Sequence, residues 1–71
     1  MQIRVDTTGD VPSPKACRNY RIRSMGIKNL SDVVELTLEF DGALAREDAL
    51  HFLKDWMHSD DPEDDLEVAL S

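Results

Sequence analysis

Val33-Val34-Glu35-Leu36-Thr37-Leu38-Glu39-Phe40, closed by Asp41-Gly42, is the stretch on which the fold turns. Val34, Leu36, Leu38 and Phe40 alternate with Glu35, Thr37 and Glu39, the two-residue period of a strand with one dry and one wet face. After Gly42 the period changes. Ala45, Ala49, Phe52, Leu53 and Trp56, widened by Leu50 and Met57, recur at helical spacing and predict a helix that starts within 43–46 and ends near His58. Glu47 and Asp48 suit its positive end, and Lys54 and the two histidines suit its negative end. The helix is expected to cover the dry face, with Trp56 and Phe52 over Leu36, Leu38 and Tyr20.

Upstream, Asn19–Arg23 reads as a strand, with Tyr20 and Ile22 facing one way. Met25-Gly26 breaks the alternation, and a bulge there would return Ile27 to the core. A turn centred on Leu30 would set Arg21 opposite Glu39, Ile22 opposite Leu38 and Arg23 opposite Thr37. Such exposed charge pairs add at most about 1 kcal/mol each and serve mainly register. Met1–Asp6 reads as a further strand. Residues 7–16, with Gly9, Pro12 and Pro14, read as a loop.

Downstream, two readings compete. Leu66, Val68 and Leu70 alternate as in a strand. Asp61-Pro62-Glu63-Asp64 is a helix start, with Leu66, Ala69 and Leu70 as its stripe. The strand is preferred, because a chain leaving the helix at Ser59 can return across the sheet. The expected fold is thus one α+β domain over residues 1–71. It has an antiparallel sheet of three to four strands, in the order β-β-β-α-β, with one amphipathic helix on one face.

The 71 residues are 41% hydrophobic and 32% charged, which fits a folded chain and excludes a multidomain enzyme. The net charge of −7 excludes nucleic-acid binding driven by overall positive charge. That charge is divided unevenly. Residues 1–30 carry six cations and two acids, while residues 31–71 carry two cations and thirteen acids. The lone Cys17 excludes an internal disulfide. No apolar run approaches a membrane span or leader, so no membrane contact and a reducing cytoplasm are expected. A chain this short builds a thin core, which makes a second copy a natural source of further burial.

Three constellations can carry function. Asp60, Asp61, Glu63, Asp64, Asp65 and Glu67 form an acidic segment over residues 60–67, which Glu47, Asp48 and Asp55 on the helix would extend. The plain reading is a solubilising, helix-capping loop; the functional one is a contact surface for a basic protein. Glu47, His51, Asp55 and His58 share one helix face, and His51, Asp55 and His58 are a weak candidate set for Zn²⁺ beside the plainer solvated surface. Cys17 lies by a proline-containing loop with no nucleophile motif around it, and the three glycines are isolated. No catalytic residue, cofactor or direct nucleic-acid contact is therefore expected.

In size, charge and lack of catalytic motifs the chain resembles the small acidic single-domain proteins of phages and mobile elements, anti-CRISPR inhibitors among them. The resemblance carries no residue motif. It implies an inhibitor or modulator of a basic, nucleic-acid-handling protein. The other classes are an assembly protein that self-associates through a sheet edge or helix, and a metal-responsive regulatory domain.

Overall fold

The computed structural model describes residues 1–70. Its elements are β1 (Gln2–Thr7), α1 (Pro14–Asn19), β2 (Ile22–Asn29), β3 (Val34–Phe40), α2 (Ala45–Asp55) and α3 (Pro62–Ala69). The class is α+β, with a three-stranded sheet in the order β1-β3-β2. Both edge strands run antiparallel to β3, so they are parallel to each other, and the segment containing α1 carries the chain from one edge to the other.

The alternation read in β3 fixes the core. Leu36, Leu38 and Phe40 are fully buried, and Ile3 of β1, opposite Leu38, is buried beside them. Ala49, Phe52 and Leu53 of α2 close over this face. Phe52 meets Tyr20 edge-on at 5.5 Å, tilts against Phe40 at 6.3 Å and stacks on the half-buried Trp56 at 6.3 Å. Such aromatic contacts add to plain area burial.

The segment expected as a loop over 7–16 gives Thr7 to β1 and its end to α1. Ser13 caps that helix, accepting a hydrogen bond from the Ala16 N–H at 3.2 Å, and Pro14 occupies its first turn. Asn19 therefore ends a helix instead of starting a strand. Arg21, at φ 56°, reverses the chain into β2.

The hairpin register also differs. Ser31 and Asp32 form its tip, with the Leu30 N–H donating to the Val33 carbonyl at 2.9 Å. Ile22 pairs with Phe40, Ser24 with Glu39 and Met25 with Leu38, and the bulge lies between Ile22 and Ser24 instead of at Met25-Gly26. Ile27 pairs with the buried Leu36, yet stays 51% exposed and does not return to the core.

The last segment is a helix, not a strand. Asp61 caps it, accepting from the Asp64 N–H at 3.3 Å, and Pro62 opens it. Leu66 and Ala69 sink into the core, and Val68, the middle member of the expected alternation, is 69% exposed. The element order is accordingly β-α-β-β-α-α, with three helices in place of one. Packing places α1 against β2, and α3 against α2 and β1, so the two outer helices attend opposite edges of the sheet.

Candidate functional site

The acidic residues divide by what each carboxylate already holds. Asp48 on α2 accepts from Arg21 Nη1 at 3.4 Å, and its side chain is only 13% exposed. Asp55 meets His51 Nε2 at 2.7 Å, one helical turn away. Asp61 is spent on the α3 cap, and the Ser59 hydroxyl donates to Asp65, tying the loop before α3 to its first turn. Glu67 is exposed on α3. Glu47, Asp60, Glu63 and Asp64 are exposed, and no hydrogen bond or ion pair engages their side chains among the described residues.

Helix α3 is the scaffold for most of this surface. Its first turn holds Glu63, Asp64 and Asp65 beside the cap, where the positive helix end lowers their mutual repulsion. Leu66 and Ala69 fasten it to the core, so the carboxylates are held at fixed spacing. Sequence reasoning missed one member of the surface. Arg46 of α2 lines the same open recess of about 450 Å³ as Asp61, Glu63, Asp64 and Glu67. The packing of α2 on α3 that brings it there depends on reading 62–69 as a helix. The surface is therefore a ring of carboxylates with one cation at its margin.

Arg21 and Arg23 look elsewhere. Arg23, thrown out of the ladder by the bulge, donates to Asp41 at 2.5 Å, and Arg21 holds Asp48. These pairs couple the basic segment to the end of β3 and the start of α2. The pairing of Arg21 with Glu39 expected from the hairpin does not form.

The candidate metal face does not assemble. Helix α2 ends at Asp55, and His58 sits beyond it at φ 54°, off the helical spacing that would align it with His51. Among the described residues no three His, Cys, Asp or Glu side chains come together as metal ligands. Tyr20 packs edge-on to His51 at 5.2 Å. Burial first, and the negative charge of Asp55 second, raise its hydroxyl pKa above the ordinary 10.0. Cys17 is half-buried against the core as a free thiol.

A recess of about 640 Å³, open to solvent, lies between β1 and the two longer helices. Arg4, Val5, Asp6, Leu53, Met57 and Val68 are among its lining residues, which include neither a histidine nor the cysteine. Among the described residues no helix is long and apolar enough to cross a membrane. No family model, curated protein or solved structure matches this chain.

Proposed function

We propose that the chain is a non-enzymatic protein-binding module, a small acidic inhibitor or modulator of a basic, nucleic-acid-handling protein. The observation that supports this reading is the exposed set of Glu63 and Asp64, in the first turn of a helix that Leu66 and Ala69 pin to the core, with Asp60 just before its cap; among the described residues none of the three enters an internal pair. Carboxylates clustered at a helix start that is held to the core present negative charge much as a phosphate row does. A Lys/Arg groove can accept them with little ordering cost. Glu47 widens the face, and Arg46 at its margin sets polarity. The chain contacts the protein and not the nucleic acid, in a reducing cytoplasm that keeps Cys17 free. Phage or mobile-element counter-defence of the anti-CRISPR type is the setting its size and charge fit.

Comparative capture tests this. The wild-type chain and an Asp60→Asn/Glu63→Gln/Asp64→Asn variant, which spares the Asp61 cap, are immobilised and exposed to host lysate. Basic nucleic-acid-handling proteins should be retained by the wild type and lost from the variant. Equal retention on both would remove the acidic face from the mechanism.

A further inference from the structure

The two edges of the sheet carry opposite charge. Residues 14–30, which build α1, β2 and the link between them, hold Lys15, Arg18, Arg21, Arg23 and Lys28 and no acid. Arg21 and Arg23 are tied to Asp48 and Asp41, whereas Lys15, Arg18 and Lys28 are exposed and enter no ion pair among the described residues. At the other edge, α3 lies beside β1; no lysine or arginine follows Lys54, and Arg4 is the one cation of β1. Strand β3 separates the two edges, so the cations of the α1–β2 edge stay away from α3 of the same copy, where Arg4 and Arg46 are the cations lining the nearby recesses.

Apolar groups accompany the charge on both sides. Ile27 is 51% exposed and Leu30 44% exposed on the basic edge; Val68 is 69% and Leu70 46% exposed on the acidic one. Strand β2 is also bare. Six of its eight residues are exposed, and among the described residues β3 is its only ladder partner. Its Gly26 has no positive φ, and a Cβ there would meet only the Thr37 Cβ, at an ordinary 3.7 Å. The fold itself does not require glycine at this position. A glycine in an open strand lets a neighbouring surface approach closely.

We infer that copies of this chain associate head to tail, the basic α1–β2 edge of one seating on the acidic α3–β1 edge of the next. This rests on the reading of the acidic face as the contact surface, and it names a second copy as one occupant of that face. The contact is heterologous: each copy offers two different surfaces, so association continues into short chains or closes into a ring. Because the matching groups are exposed, the attraction weakens with salt.

Two variants test it. One is the acid-face variant Asp60→Asn/Glu63→Gln/Asp64→Asn. The other is a basic-edge variant, Lys15→Gln/Arg18→Gln/Lys28→Gln, which spares both internal arginine pairs. Matched far-UV circular dichroism and melting confirm that both fold. In sedimentation velocity the wild type should gain mass with concentration, and its association should weaken about tenfold between ~0.05 M and ~0.5 M salt. Each variant alone should remain monomeric, and an equal mixture of the two should stop at a heterodimer. A wild type that stays monomeric, a mixture that does not pair, or a variant that associates like the wild type would overturn the inference. If self-association fails in sedimentation, capture of the basic partner by the wild type and its loss from the acid-face variant would still leave the proposed function standing.

Discussion

Tyr20 sits where α1, β2 and α2 meet, its ring edge-on to both His51 and Phe52. With its pKa raised by burial and then by Asp55, the folded state holds the phenol proton more tightly than the unfolded chain does. The stability this contributes is therefore complete below the ordinary tyrosine value of 10.0 and is lost as pH rises through the folded value. The melting temperature of the wild type should accordingly fall more steeply above pH 10 than that of Tyr20→Phe; parallel curves would show that the hydroxyl is not the responsible group. Single residues also explain what was hard to read. Asp61-Pro62 and Ser13-Pro14 are the same helix-start signal, a capping side chain followed by proline at the first position. The first competes with an apolar alternation in the same residues; the second is hidden among the turn-forming residues of a proline-containing segment. Arg21 carries no sequence signal for its left-handed turn, because glycine or asparagine is the usual mark of that conformation.

Among the elements, β3 and α2 were legible because each shows one clean period and is buried along it. Helix α3 was not, since Leu66, Val68 and Leu70 satisfy a two-residue period while Leu66 and Ala69 satisfy a helical one. Burial decides between them: Ala69 is 8% exposed and Val68 69%. Leu66, fully buried, is the main fastening. Leu66→Ala should cost about 2–5 kcal/mol in chemical denaturation, by lost burial and the cavity left behind. It should also raise hydrogen exchange in α3 more than in β3. Val68→Ala, on the exposed side, should change stability by less than ~0.5 kcal/mol. Equal losses at the two positions would mean that α3 is not held as described. The hairpin register is hard to read for a related reason. Opposite charges on facing strands suggested a pairing, but exposed pairs are too weak to set register against the burial of Ile22 opposite Phe40.

At the scale of the whole molecule, the uneven charge of the sequence becomes an axis across the sheet, basic at the α1–β2 edge and acidic at α3. The acidic segment was visible in the sequence. Its reduction to a few uncommitted carboxylates was not, because caps and long-range pairs depend on the tertiary path that brings Arg21 to Asp48 and Ser59 to Asp65. The same path leaves His58 off the α2 face and dissolves the candidate metal set. The chain's net charge of −7 is what the proposed basic partner would meet, and direction along the axis determines which surface it meets first. The most direct measurement is fluorescence anisotropy of labelled nucleic acid bound to the captured partner. Adding the wild-type chain should release the nucleic acid, and the Asp60→Asn/Glu63→Gln/Asp64→Asn variant should not. Release by both alike, or by neither, would contradict a carboxylate face that takes the place of phosphates.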